Sequence, residues 1–227
     1  MITAAANKAN PLAAEALERL CVTYWPPVYS YLRRKNFSPE DAHDMAQDFF
    51  CDFIQKDLPG CADPDRGRFR SYLLGILRNS LSHRHERTAR QKRGGGQTEI
   101  SLDALNDDGT PVLELVDAAT PEAAYEQRWA MTVLESAFVR LRQASTSDPK
   151  SPLFSSLAPY IWGDKGSKTS AEIGQELAMP EGTVRVALHR LRQNYRGAVR
   201  AVIRETVIDP REVDTELAHL MSILGTP

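Results

Sequence analysis

Cysteine is scarce in this chain of 227 residues. Cys21, Cys51 and Cys61 are an odd number with no C-x-x-C spacing, so neither a disulfide framework nor a paired-thiolate zinc site is indicated. Long apolar runs are missing as well. The longest, such as "YLLGIL", fall well short of the roughly 20 residues needed to cross a bilayer. The opening "MITAAANKANPLAAEALERL" lacks the charged-then-apolar order of a secretion signal. The expectation is a cytoplasmic protein with no membrane insertion. Alternating apolar and polar runs are absent too, which argues against a sheet. No Gly-rich phosphate loop, H-E-x-x-H or G-x-S-x-G occurs, and "DDG" at 107–109 reads as a turn, not as half of a catalytic carboxylate pair. The reading is therefore not an enzyme, with no cofactor and no metal.

Charge of one sign is missing from whole segments. From Gln97 to Gln127 there is no Lys or Arg, and from Gly182 to Arg204 no Asp or Glu, although the formal net charge is only -2. Charge has been segregated along the chain, not balanced locally.

What is present is helical periodicity, and the expected fold class is all-α. A first helix from about Leu12 to Tyr24 carries Leu17, Leu20, Cys21 and Tyr24 on one face, and Pro26-Pro27 is expected to break or kink it before a short piece through Val28 and Leu32. "FSPEDAHDMAQDFFCDFI" opens with Ser38 as N-cap and Pro39 at the first helical position. Its apolar face is Ala42, Met45, Ala46, Phe49, Phe50 and Phe53. Its other side collects Asp41, Asp44, Asp48 and Asp52, a row of one sign that gains nothing from i,i+4 pairing and invites a basic partner. A further helix buries Phe69, Tyr72, Leu73, Ile76, Leu77 and Leu81. The apolar pattern stops there, and "SHRHERTARQKRGGG" continues as a basic arm ended by Gly94 to Gly96.

The acidic stretch that follows is a polar connector, able to reach on the order of 80 Å if extended. Thr120-Pro121-Glu122 starts a new helix with Ala130, Val133, Leu134, Ala137, Phe138 and Leu141 on its face, and "STSDPKSP" breaks it. Thr169 with Glu172 fits a capping box. Ile173 and Leu177 give a short helix, "AMPEG" a tight turn, and a second helix has Val184, Leu188, Leu191, Tyr195, Ala198 and Val202 as its core stripe. Helix, short turn, helix is the outline of a helix-turn-helix. Arg185, His189, Arg192, Arg196 and Arg200 lie one residue further along, about 100° around the helix, on a face suited to phosphates and to guanine edges.

Three of these motifs, in this order, resemble the extracytoplasmic-function (ECF) group of bacterial RNA polymerase sigma factors. "SPEDAHDMAQDFFCDFI" is similar to the family's polymerase-binding helix, "FRSYLLGILRNSLSHRHER" to its promoter-opening helix, and "SAEIGQELAMPEGTVRVALHRLR" to its helix-turn-helix. The resemblance implies four segments. Residues 1–96 would be a region 2-like domain, 97–119 an acidic linker, 120–208 a region 4-like domain, and 209–227 a C-terminal extension. The extension reads as an amphipathic helix with Val213, Leu217, Leu220, Met221 and Leu224 on one side, expected to pack on its own domain, with a regulatory partner as the alternative.

The same resemblance assigns residues to partners. Asp41, Asp44, Gln47 and Asp48 would dock on the clamp helices of the largest subunit of core RNA polymerase, with the flap of the second-largest subunit as a further contact. Arg66, Arg68, Arg70, Arg78, Asn79, Arg84, Arg87 and Arg90 would hold the minus-ten element and its melted strand. Thr169, Glu181, Gly182, Thr183, Arg185, His189, Arg192 and Arg196 would read the minus-thirty-five duplex. Promoter DNA is thus a partner both as duplex and melted, and an anti-sigma factor or a Ser/Thr kinase is a regulator the resemblance leaves open. Ala178 departs from the motif, which commonly has Gly there, as does Ala187, where Arg is frequent. Two other classes stay in view: a stand-alone helix-turn-helix regulator with a dimerising or sensing N-terminal part, and a protein that sequesters polymerase without initiating.

Overall fold

Ser38 sets the first well-defined boundary: its Oγ accepts the Asp41 N–H at 3.0 Å and donates to the Asp41 carboxylate at 2.7 Å. This cap, followed by Pro39, starts a helix where four N–H groups would otherwise lack partners. The computed structural model describes residues 2–5, 10–63, 67–91, 120–144, 152–162 and 168–225, and the backbone alone for 84–91. Its helices are α1 (Ile2–Ala5), α2 (Ala13–Arg34), α3 (Pro39–Gln55), α4 (Phe69–Gln91), α5 (Pro121–Ala144), α6 (Pro152–Leu157), α7 (Ser170–Glu176), α8 (Glu181–Thr206) and α9 (Val213–Ile223). Among the described residues there is no strand, as the all-α expectation requires. Gly94 to Gly96, the connector 97–119 and most of "STSDPKSP" lie outside the described residues.

The chain divides into two compact units, one of 1–132 together with 205–227, the other of 133–204. In the first unit α2, α3 and α4 share an aromatic core. Tyr24 meets Phe69 edge-on at 5.4 Å between ring centroids, Phe69 lies 6.4 Å from Phe53, and Phe53 stacks on Phe49 at 6.0 Å. Such rings each bury a large apolar area and add edge-to-face attraction.

This core explains why the expected break at Pro26-Pro27 does not occur. α2 runs through both prolines as one helix. Each proline removes an N–H from the ladder, but Leu20, Tyr24, Pro27, Val28, Tyr31 and Leu32 form one continuous buried face across the site, and that burial outweighs the missing bonds.

α9, the helix of the C-terminal extension, belongs to the first unit. Its buried residues are Glu216 and Leu220, whereas Met221 and Leu224 are each 39% exposed. The face that packs is therefore rotated from the apolar stripe, because Arg68 and Arg70 draw Glu216 inward.

In the second unit the Thr169–Glu172 capping box is present. Ala178, in the turn between α7 and α8, has φ +52°, the left-handed conformation that favours glycine. The Met179 N–H donates to the Gly174 carbonyl at 2.8 Å, and a Cβ on Gly174 would lie only 2.6 Å from the Met179 carbonyl oxygen. Gly174 is what lets the turn fold back so tightly on α7. Tyr160 anchors the chain just before α7, its hydroxyl donating to the Lys168 carbonyl at 2.7 Å and accepting the Lys168 N–H at 2.8 Å.

Candidate functional site

The acid row stands out on α3. Asp41, Asp44, Gln47 and Asp48 are all exposed, while Ala42, Ala46, Phe49, Phe50 and Phe53 on the opposite side are buried. Spacings of three and four residues put the three aspartates along one face. Asp52, which continues the row, is held by Lys56 at 2.6 Å, and Asp44 lies 3.8 Å from His43 Nδ1.

Two surface grooves flank this face. Asp41, Asp44 and Asp48 line one together with Tyr31, Lys35 and Arg78; Asp48, Asp52, Asn79 and His83 line the other. Met45, Asp48 and Leu81 border both. Three of the residues the resemblance assigns to polymerase, Asp41, Asp44 and Asp48, and two of those it assigns to the melted strand, Arg78 and Asn79, thus line these adjoining grooves. Arg78 and Asn79 are exposed, and Arg78 makes a long 3.9 Å ion contact with Glu122. Arg66 lies outside the described residues, as do the side chains of Arg84, Arg87 and Arg90; the backbone there continues as helix through Gln91.

Arg70 departs from its sequence assignment. It is 3% exposed. Its Nε donates to Glu216 at 2.7 Å, its Nη1 donates to Glu126, and the guanidinium sits 4.9 Å from the Trp129 ring centroid. Arg68 Nε is 2.6 Å from the other Glu216 oxygen, and His219 Nε2 is 3.1 Å from Glu126. A buried guanidinium demands such partners because leaving water costs it several kcal/mol. In this conformation Arg70 offers no surface to DNA, and Arg68 offers only its rim. Periodicity had no means of finding Glu126, Trp129, Glu216 and His219, because nothing local marks them; the one available hint was that two arginines flank the core residue Phe69.

On α8 the first turn and the face beyond it are open. Glu181, Gly182, Thr183, Arg185, His189 and Arg196 are exposed, and Val184, Leu191, Tyr195, Val199 and Val202 are buried. Arg185 pairs with Glu181 at 3.0 Å across one helical turn. Arg192 turns inward, its Nε donating to the Tyr160 carbonyl at 3.0 Å, so it steadies the packing of this unit. Thr169 is occupied by its cap: its N–H and hydroxyl both donate to the Glu172 carboxylate, at 2.6 and 2.9 Å. These two bonds, the backbone one first, hold Glu172 below the usual carboxylate range. Beneath the face, burial pushes the Tyr195 hydroxyl up to about 12, which keeps it a neutral donor to the Leu134 carbonyl at 3.2 Å.

No helix among the described residues is long and apolar enough to cross a membrane. Residues 20–91 match the family model for sigma-70 region 2. The matched span starts within α2 and closes with α4, so it holds the aromatic core, the acid row and both grooves, while α5 to α9 lie beyond it. No curated protein and no solved structure matches the chain. The similarity is to sigma-70 region 2, over this segment of the chain.

Proposed function

We propose that this chain is a sigma factor of the extracytoplasmic-function type, which binds core RNA polymerase and brings it to specific promoters. The observation that carries the reading is the exposed row of Asp41, Asp44 and Asp48, placed on α3 inside the segment similar to sigma-70 region 2. A one-signed acidic face beside grooves that also carry Phe37, Met45 and Leu81 suits a basic, partly apolar helical partner, and the clamp helices of the largest polymerase subunit are the partner the resemblance names. The flap of the second-largest subunit is the expected contact of the second unit.

α7 and α8 serve as a helix-turn-helix, with α8 lying in the major groove at the minus-thirty-five element. Arg185, His189 and Arg196 contact DNA, while Gly182 and Thr183 in the first turn let α8 approach the phosphates with its positive helix end. Arg78, Asn79 and the extension of α4 hold the melted strand. The protein acts in the cytoplasm and lends specificity to the polymerase without catalysis of its own.

The test is capture of purified core RNA polymerase by the chain, beside a variant with Asp41, Asp44 and Asp48 all changed to Ala. Wild-type capture lost in the variant supports the reading. Absence of capture by the wild type, with duplex DNA still bound at paired half-sites, would replace it with a stand-alone helix-turn-helix regulator.

A further inference from the structure

We propose that α9 is an internal stopper that withholds Arg68 and Arg70 from single-stranded nucleic acid, its Glu216 carboxylate occupying the place of backbone phosphates. The inference rests on the promoter-binding reading and adds a regulatory contact to it. Guanidinium groups bind carboxylate and phosphate through the same fork of donors. Here one carboxylate takes both arginines: Glu216, itself 2% exposed, lies 2.7 Å from Arg70 Nε and 2.6 Å from Arg68 Nε. Glu126 adds a second anion on Arg70.

Two further observations point to a removable contact. Both arginines fall inside the segment similar to sigma-70 region 2, whereas Glu126 and Glu216 fall outside it; the carboxylates that occupy the arginines are contributed by other parts of the chain. α9 is also lightly anchored. Leu220 is its one fully buried apolar side chain, with Met221 and Leu224 exposed and Val213 and Leu217 half-buried. Detaching the helix exposes that one leucine and breaks the ion pairs, which phosphates replace. Arg68, at the rim of the cluster with its side chain 32% exposed, is the point where a strand first gains contact.

The experiment compares the full-length chain with Glu216→Gln, which keeps the shape of the side chain and removes its charge. Binding of a short fluorescent oligothymidylate is followed by anisotropy between 50 and 200 mM salt. The variant is expected to bind on the order of tenfold tighter, and the slope of log K against log salt should steepen by about 1.4, the value for two more neutralised phosphates on a single strand. Arg68→Ala in the Glu216→Gln background should give back about half of that steepening.

A folded Glu216→Gln protein with unchanged affinity and slope overturns the stopper. Should the variant not fold, amide exchange of α9 in the wild-type chain decides. Faster exchange when the oligonucleotide is bound supports release; unchanged protection under saturating oligonucleotide overturns it. Polymerase capture by the same wild-type sample separates the two ideas. Capture with unchanged oligonucleotide binding removes the stopper alone, whereas no capture with a gain in the variant removes the sigma-factor reading and leaves the stopper standing.

Discussion

Ala178 holds a left-handed backbone conformation that costs an L-residue about 1–2 kcal/mol; glycine, lacking a Cβ, would relieve this strain, while its greater freedom in the unfolded chain takes back part of the gain. Ala178→Gly is therefore expected to stabilise by about 0.5–1 kcal/mol, read as a higher urea midpoint. Arg70→Ala works the other way. It leaves buried Glu216 with Arg68 as its one remaining arginine and half-buried Glu126 with His219, and should cost about 3 kcal/mol, against less than about 0.5 kcal/mol for exposed Arg78→Ala. Glu212 gives a pH signature. Partial burial, and then the neighbouring Glu216 and Asp209 charges, raise its carboxyl above the usual value. The folded state thus holds that proton more tightly than the unfolded one, so this group's contribution favours folding at low pH and is lost as pH rises through its folded pKa. Glu212→Gln should raise the midpoint at neutral pH by no more than about 0.5 kcal/mol, since solvent screens the site, and the advantage should vanish below the ordinary carboxylate range. What could be read at this scale followed sequence distance. The Thr169–Glu172 box spans three residues and was legible; Arg70 pairs across 56 and 146 residues, and no local pattern encodes such a partner.

Elements were legible where one face decides. α3 showed its cap, its acids and its buried side in the sequence because all three follow one helical period. α2 did not, since proline chemistry argued for a break at Pro26-Pro27 and only the core formed with α3 and α4 argued against it. α9 was legible as a helix but not in its orientation, because an ion pair, not the apolar stripe, sets which side is buried. The α7–α8 turn supplies the test at this scale. Gly174→Ala gains up to about 1 kcal/mol of helix propensity but drives a Cβ to 2.6 Å from the Met179 carbonyl, a contact that must move backbone. The net expectation is a loss of about 2 kcal/mol, with weaker duplex binding from a splayed α8, measured by thermal unfolding and promoter-duplex anisotropy.

At the scale of the whole molecule, charge segregation sets how binding responds to salt. If α8 and its neighbours neutralise about six phosphates, promoter affinity should fall about 10³-fold between 50 and 200 mM salt, and Arg185→Ala with Arg196→Ala should flatten the slope by roughly 1.8. An unchanged slope would remove α8 from the interface. Arg192→Ala is a poorer probe, because its bond to Tyr160 mixes lost packing with lost contact. The region-2-like unit is also assembled from two separated stretches, 1–132 and 205–227. On a ribosome adding ~5–20 residues per second, residues 133–204 must be made before Glu216 exists. For those seconds the nascent chain carries Arg68 and Arg70 without the buried carboxylate that the finished protein sets against both.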